Sequence, residues 1–262
     1  MPIWDKTFIY DAWSCRKNKG LQGAIHRAQS FATKYPNHYV WRADIKKMFN
    51  SINHDTMKKL IQRRVKCKNV LWLLDEAIDS YNALASQPAS QPASQPASQP
   101  ASQPASQPAS QPARPIFRSN GVGLPIGNLT SQIMSNIYLN ELDRFMVHEM
   151  KPAAYLRYGD DWLCFVPSKL IAQNIRLDSL KKLSELGLQI NTKVDSITPV
   201  WKGIPYLGVN IWPKGHYLKK KVRERVKLRL NPTNTASYRS LVFAHDKLKK
   251  LNEFDWNLID PN

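Results

Sequence analysis

The chain has 262 residues, of which 42% are hydrophobic, and it carries 38 Lys and Arg against 20 Asp and Glu, a formal net charge of +18. This length allows one large domain or two modest ones with a buried core. The positive charge predicts a polyanionic partner, nucleic acid before an anionic membrane surface. Because the sequence has no long uncharged apolar run and no signal peptide, we expect no membrane partner.

The cysteine content argues against a fold that is held together by disulfide bonds or by zinc. Cys15, Cys67 and Cys164 have no CxxC spacing, and pairing two of them would leave the third alone. A disulfide scaffold and a zinc site are therefore not expected. A reducing compartment such as the cytoplasm fits this usage.

The segment before residue 85 alternates strand and helix patterns. Residues 38–45, "HYVWRADI", predict a strand. Apolar residues at helical spacing predict a helix over 54–66, with Asp55 as its cap, and a second helix over 69–84.

Residues 85–112 are seven copies of Ala-Ser-Gln-Pro. Proline at every fourth position excludes a helix or a sheet ladder, and the tract has no large apolar side chain to bury. We expect 85–113 to be a disordered insertion at a place where the chain already turns at the surface.

The segment after the insertion begins with a loop rich in Gly and Pro at 119–128, and a long helix is predicted over 129–150. Residues 153–166, "AAYLRYGDDWLCFV", predict two short strands joined by a turn at Gly159-Asp160-Asp161.

The remaining pattern predicts a helix over 177–187 that ends at Gly187, a strand over 204–212, and a basic, helical end. The order of elements predicts an α+β fold, in which an antiparallel sheet is covered by helices on one face.

Asp160 and Asp161 stand side by side in an apolar stretch, and Asp44 closes the strand predicted over 38–45. Adjacent carboxylates repel each other unless solvent, protonation or a cation compensates them. One interpretation is a hairpin tip with solvated charges. The other is a divalent metal site formed by Asp44, Asp160 and Asp161.

The order and spacing of five segments resemble a reverse transcriptase. "RADIKKMFNSINH" (42–54), "GLPIGNLTSQ" (123–132) and "RYGDD" (157–161) are similar to the first three palm motifs of that family. "LGLQINTKV" (186–194) and "IPYLGVNI" (204–211) are similar to the fourth and fifth. The resemblance covers almost the whole chain apart from the repeat.

This resemblance implies a right-hand polymerase palm with partial fingers and a short thumb. Residual fingers and the first part of the palm would lie in 1–84, the rest of the palm in 114–212, and a basic thumb-like segment in 213–262. The family normally has a fingers region upstream, with basic residues that hold the triphosphate. The chain is expected to start partway into that region.

Reverse transcriptases of diversity-generating retroelements resemble the chain more closely still. Ile126 and Gly127 stand where most relatives have Gln-Gly, and Ser131 and Gln132 stand where most have Ser-Pro. Residues 8–20, "FIYDAWSCRKNKG", resemble the stretch that these enzymes carry ahead of the first motif. The resemblance implies error-prone cDNA synthesis in mutagenic retrohoming, a bacterial or phage origin, and a small basic helical accessory protein as partner.

Two alternatives stay open. One is a reverse transcriptase of the retron, group II intron or defence type. The other is a truncated, catalytically silent remnant that binds nucleic acid. Magnesium-dependent primer extension separates the enzyme from the remnant.

The resemblance implies nucleotidyl transfer with two Mg²⁺ ions, for which Mn²⁺ can substitute. Such ions activate the attacking primer hydroxyl and stabilise the leaving oxygen, and they prefer oxygen ligands. Asp44 and Asp160 would be bridging ligands, Asp161 an accessory carboxylate, and the backbone carbonyl of Ile45 a further ligand.

Contacts with deoxynucleoside triphosphates and template are implied at the same motifs. Phe49 would clash with a ribose 2′ hydroxyl and so select deoxynucleotides. Ile126 and Gly127 would lie at the incoming base pair. Ser131 and Gln132 would touch the template from the polar face of the helix that follows.

Basic residues are implied to act on the substrates as well. Lys193 aligns with a lysine that protonates the pyrophosphate leaving group in relatives. Residues 42–68 hold nine Lys and Arg, and residues 214–229 hold eight. Both runs predict contacts with the phosphates of an RNA template and a DNA primer, independent of sequence.

Overall fold

The computed structural model describes residues 2–79, 121–125 and 129–229. The insertion predicted at 85–113, the candidate residues Ile126 and Gly127, and the end of the basic segment lie outside the described residues.

The described ranges contain eight α-helices and seven strands. The helices are α1 (Pro2–Asp5), α2 (Leu21–Lys34), α3 (Met48–Ser51), α4 (His54–Gln62), α5 (Lys68–Asp79), α6 (Leu129–Arg144), α7 (Lys169–Glu185) and α8 (Lys220–Arg229). The strands are β1 (Tyr39–Asp44), β2 (Ala154–Tyr158), β3 (Asp161–Val166), β4 (Ser196–Pro199), β5 (Ile204–Tyr206), β6 (Val209–Trp212) and β7 (Gly215–Leu218).

The main sheet has four strands in the order β2-β3-β1-β4, and every neighbouring pair is antiparallel. The hairpin predicted at 153–166 supplies β2 and β3, and β1 lies beside β3 although more than a hundred residues separate them. The mixture of helices with an antiparallel sheet confirms the predicted α+β fold.

Side chains alternate between two hydrophobic clusters on the two faces of the main sheet. On β1, Trp41 and Ala43 belong to the cluster that contains residues of α4, α6 and α7. Val40 belongs to the second cluster, which contains Ala28 and Phe31 of α2 and residues of the smaller sheet. The expectation that helices cover only one face is therefore wrong, because α2 and the smaller sheet bury the other face.

The smaller sheet has the order β5-β6-β7. The single strand predicted over 204–212 is wrong, because the chain reverses at Leu207 and Gly208, whose φ angles are 42° and 86°. Two consecutive left-handed residues form the turn that suits a two-residue hairpin. Gly208 takes this conformation freely, whereas Leu207 gives no sequence signal for it.

Several helix boundaries in the structure differ from the predicted boundaries. The cap of α4 is Asn53, whose side chain accepts a hydrogen bond from the backbone of Thr56, and Asp55 lies inside the helix. Ser168 caps α7, which begins well before the predicted start at 177 and ends just before Gly187 as predicted. Residues 145–150, predicted to continue α6, form a π-helix.

None of the helices in the described ranges combines the length and the apolar character needed to cross a bilayer.

Candidate active site

Three carboxylates meet at one end of the main sheet, which we call the acidic edge: Asp44, Asp160 and Asp161. Asp44, the last residue of β1, lies directly opposite Asp161, the first residue of β3. Asp160 lies in the turn that precedes Asp161, and its carbonyl accepts a hydrogen bond of 3.2 Å from the backbone N–H of Ile45. The structure thus brings together the three acids and Ile45 from distant parts of the sequence.

Gly159 makes the turn of the hairpin possible. Its φ angle is 63°, in the left-handed region that glycine adopts without strain. The turn therefore places two acids in succession at the end of an apolar strand pair.

Asp160 carries negative charge that the protein does not compensate fully. Burial, and then the nearby charge of Asp44, raise the pKa of Asp160 to about 6. A buried carboxylate next to another carboxylate favours protonation or a bound cation. This is the electrostatic pattern expected of a cation ligand.

Asp161 differs because an arginine on the neighbouring strand binds both of its oxygens. Arg42 donates from Nε at 3.1 Å and from a terminal guanidinium nitrogen at 2.7 Å. The exposed fractions of the Arg42 and Asp161 side chains are only 17% and 14%. Burial raises the pKa of Asp161, and the hydrogen bonds and charge of Arg42 oppose that rise.

Asp44 is held by the segment that resembles the fourth motif. The side-chain amide of Asn191 donates to Asp44 Oδ2 at 3.1 Å, and the backbone N–H of Asn191 donates to the Asp44 carbonyl at 2.7 Å. These two bonds fix both the strand end and the orientation of the carboxylate.

Arg157 supports the hairpin from inside the protein. Its guanidinium group donates to both oxygens of Asp143 at 2.8 and 2.7 Å, and to the carbonyl of Gly159 at 2.7 Å. The exposed fractions of the Arg157 and Asp143 side chains are 1% and 0%. A buried ion pair therefore anchors the turn that carries Asp160.

The other candidate residues lie in varied environments. Phe49 lies in α3, directly after the Asp44 segment, and is half-buried against the core. Lys193 is exposed in a turn that follows Asn191.

Gln132 is half-buried, and its Oε1 accepts a hydrogen bond of 3.1 Å from Cys15 Sγ. Ser131 is only 1% exposed, so its predicted place on a polar face of α6 is wrong.

Sequence reasoning missed Arg42, Asn191, Arg157 and Lys219 as parts of this site. Arg42 had a usable signal, because residues two apart on a strand face the same side and Arg42 precedes Asp44 by two. Lys219 follows β7, and its charge interacts with those of Arg42 and Asp161; burial, and then Arg42, lower its pKa. No comparable signal marked Arg157 or Asn191.

An antiparallel sheet flanked by helices, with acids at the ends of its strands, defines the palm of a nucleic-acid polymerase. Residues 6–211 match the family model described as reverse transcriptase (RNA-dependent DNA polymerase). The match covers well over half of the chain. The chain therefore belongs to the reverse transcriptase family.

Individual relatives are distant. Protein YkfC of Escherichia coli (strain K12) is 22% identical over 244 residues, and the alignment covers 79% of this chain and 56% of YkfC. The chain thus spans little more than half the length of this curated relative.

Solved telomerases share the fold. Apo telomerase from Candida tropicalis matches 96% of this chain and 46% of its own, with a TM-score of 0.54 and 12% identity. Telomerase from Candida albicans, solved with a TWJ fragment of telomeric RNA, matches 88% of this chain and 40% of its own, with a TM-score of 0.52 and 10% identity.

Members of this family use divalent metal ions, and part of the acidic edge fits such an ion. Within the described ranges, no three His, Cys, Asp or Glu side chains are grouped so that they could hold a metal. Asp161 has both oxygens turned to Arg42. Asp44 and Asp160 offer oxygen ligands with uncompensated charge, which suits magnesium. We conclude that Asp44 and Asp160 fit the group better than Asp161.

Proposed function

We propose that this chain is the catalytic part of an RNA-directed DNA polymerase that extends a DNA primer on an RNA template. The observation that carries the proposal is the strand register, which sets Asp44 opposite Asp161 and places Asp160 in the adjoining turn. Acids this close together at a sheet end repel each other, and a bound cation would compensate the charge that Arg42 leaves unpaired.

Each polar residue of the acidic edge has a separate task in this proposal. Asp44 and Asp160 would hold two magnesium ions, with the Ile45 carbonyl as a further ligand, and bound ions would supply Lewis-acid activation of the primer hydroxyl and stabilisation of the leaving oxygen. Arg42 and Asn191 orient the carboxylates. Asp161 fixes the strand end through Arg42 and is an accessory group.

The substrates follow from charge and from the neighbouring residues. The basic run at 214–229 begins beside the acidic edge, since Lys219 interacts electrostatically with Asp161. We infer that this run follows the phosphates of the template–primer duplex, and that Phe49 excludes ribonucleotides. Lys193 would approach the pyrophosphate group of the incoming deoxynucleoside triphosphate.

We propose further that the enzyme is of the diversity-generating retroelement type and makes error-prone cDNA. The two segments that carry this finer resemblance contact each other, because Cys15 bonds Gln132 and Ser14 Oγ donates to Asn136 Oδ1 at 3.3 Å. This contact supports the proposal by linking residues 8–20 to the start of α6. A small basic accessory protein is part of the same proposal.

Primer extension tests the activity. The chain is incubated with an RNA template, a DNA primer, deoxynucleoside triphosphates and magnesium, beside the variants Asp44→Asn and Asp160→Asn. We expect extension by the natural chain and a loss of at least about a thousandfold in both variants. Asp178→Asn is the matched control, because this exposed acid lies on α7 and pairs only with Lys181 among the described residues. Absence of extension by the natural chain would favour the silent nucleic-acid-binding alternative.

Sequencing of the cDNA tests the finer proposal. Ile126 makes no hydrogen bond through its side chain, whereas a glutamine there would help to position the incoming nucleotide. We expect frequent errors opposite template adenines and a several-fold lower error rate in Ile126→Gln, equivalent to about 1 kcal/mol. Ile126→Val, which adds no polar group, should leave the rate unchanged. Equal adenine error rates in the glutamine variant and the natural chain would contradict the role of Ile126.

A further inference from the structure

A cavity of about 280 Å³ lies between α1, α4 and α6, and none of the residues of the acidic edge contributes to its wall. Trp4 of α1, Arg64 beyond the end of α4, and Arg144 at the end of α6 form part of the lining. The cavity is thus built from other elements than the site described above.

Charge in this cavity is unbalanced. Arg63 and Glu141 also line it, but they bind each other at 2.9 Å and so compensate each other. Arg64 and Arg144 have no acidic side chain of the described ranges within ion-pair distance. Two guanidinium groups that face one cavity attract an anion, and their planar donors suit phosphate oxygens.

The wall beside the arginines is aromatic and apolar. Trp4 also lines a second cavity of about 160 Å³, whose other walls include Ile133 and Ile137 of α6. An aromatic ring between a basic and an apolar space can stack with a nucleobase while a phosphate binds the arginines.

An unused polar group lies in the same wall. Asn140 is only 9% exposed and lines the basic cavity. Its Oδ1 is buried and has no hydrogen-bond partner in the part of the chain that the structure describes. Buried acceptors are nearly always paired, and a rotation of the Asn140 amide toward the cavity would let this atom accept a hydrogen bond from a ligand there. The exocyclic amine or ring N–H of a base is such a donor.

We propose that this cavity binds one nucleotide unit, with the phosphate on Arg64 and Arg144 and the base against Trp4 and Asn140. The unit belongs to a single-stranded nucleic acid or to a free nucleotide, and both present the same phosphate and base. The site is additional to polymerisation. It anchors a nucleotide on the α4 and α6 side of the palm.

Fluorescence anisotropy of a labelled 12-nucleotide single-stranded RNA tests the site, in EDTA so that polymerisation plays no part. The double variant Arg64→Gln, Arg144→Gln changes two exposed side chains. We expect it to weaken RNA binding about tenfold and to lower the salt slope by about 0.7, since one phosphate contact with a single strand contributes about 0.7. Trp4→Leu should weaken binding about tenfold through lost stacking.

The matched control is the double variant Lys169→Gln, Lys202→Gln, which removes the same charge. Both lysines are exposed and follow strand ends opposite to the acidic edge. We expect less than a threefold change in RNA binding by this control. Equal losses of RNA affinity in the two double variants, or no loss in the arginine variant, would overturn the proposal.

Two further measurements locate the ligand and identify its source. Photocrosslinking of 4-thiouridine RNA should label the peptide that contains Trp4 in the natural chain and not in the arginine variant. Displacement of the RNA by millimolar adenosine monophosphate identifies a free-nucleotide site, and resistance to it identifies a strand-binding site. Absence of any crosslink at α1, α4 or α6 would overturn the assignment. Because these assays need no turnover, they succeed or fail independently of the extension assay.

Discussion

Two arginine–aspartate pairs support the same hairpin, and their surroundings differ. The Arg157–Asp143 pair is wholly buried, and Tyr155 and Asn136 complete its hydrogen bonds. The Arg42–Asp161 pair lies at the acidic edge beside Asp44 and Asp160. In the interior pair, the guanidinium group of Arg157 binds both oxygens of Asp143. At the edge three acids lie near one bound arginine, and burial and the charge of Asp44 raise the pKa of Asp160 to about 6, so this excess of negative charge does not stabilise the fold.

The largest effect should follow from breaking the interior pair. Asp143→Asn leaves the buried guanidinium of Arg157 without its counter-charge, and we expect the free energy of unfolding to fall by about 3–5 kcal/mol. Urea denaturation measures the change.

The control for this prediction is the double variant Asp143→Leu, Arg157→Met, which removes both charges. We expect it to recover most of the lost stability, because an apolar pair avoids the unpaired buried charge. A double variant as unstable as Asp143→Asn would show that packing, and not charge, sets the loss.

The second change, Asp160→Asn, should raise the free energy of unfolding, whereas the first change lowers it. The pKa of Asp160 is raised to about 6 in the fold from an ordinary value of 3.8. The folded protein therefore binds this proton more tightly than the unfolded chain does. The stability that proton binding contributes is fully present below pH 3.8 and is lost as the pH rises through about 6.

At pH 8, Asp160→Asn should raise the free energy of unfolding by about 3 kcal/mol in the absence of magnesium. The gain should shrink as the pH falls and disappear below pH 3.8, where the natural carboxyl is protonated in the folded and the unfolded chain alike. Thermal unfolding of both proteins across this pH range tests the prediction. A gain that does not depend on pH would assign the effect to packing.

The third change removes the cation of the acidic edge. In Arg42→Gln, the carboxylate of Asp161 loses the cation that compensates its charge. We expect the free energy of unfolding to fall by about 1.5 kcal/mol without magnesium. Magnesium should restore more stability to this variant than to the natural chain, because binding to the native state stabilises it.

Arg42→Lys keeps the charge and is the control, with a smaller loss and a magnesium response like that of the natural chain. Calorimetry with and without magnesium provides the measurement. The same magnesium response in Arg42→Gln and the natural chain would mean that Asp161 stays out of cation binding even when it is released.

The smallest effect concerns the orientation of Asp44. Asn191→Ala removes the side-chain bond to Asp44 Oδ2 and keeps the backbone bond. We expect magnesium affinity to fall about fivefold, equivalent to about 1 kcal/mol, in a calorimetric titration. Thr192→Ala, at the exposed neighbouring position, should leave affinity unchanged. Similar affinities in all three proteins would remove Asn191 from the site.

The sequence predicted those parts of the fold that depend on local pattern. The strand that ends at Asp44 and the hairpin around Gly159 are confirmed, since apolar runs with a Gly-Asp-Asp turn allow few alternatives. The hairpin at Leu207 and Gly208 was missed because leucine rarely adopts the left-handed conformation. The cap at Asn53 was missed because Asp55, also a favourable capping residue, lies close by.

The site was predictable in its acids and not in their partners. The sequence places these acids at the ends of predicted strands, so the acids are expected to lie close together once those strands pair. The partner of Asp161 depends on the long-range register between β1 and β3, and the burial of Arg157 depends on Asp143 of α6. The burial of Ser131 likewise depends on tertiary packing, which no local pattern specifies.

The alternation of β1 between two apolar clusters has a consequence for folding errors. On β1, Trp41 and Ala43 face the cluster that contains residues of α4, α6 and α7, whereas Asp44 lies on the other face of the strand. A slip of one residue would exchange the faces of the whole strand, so that tryptophan met α2 and the acids met α6. A misregistered molecule would thus lose its core and its ligand site at the same moment. On the proposed function, a molecule that binds a cation at Asp44 and Asp160 would therefore already have β1 in its correct register.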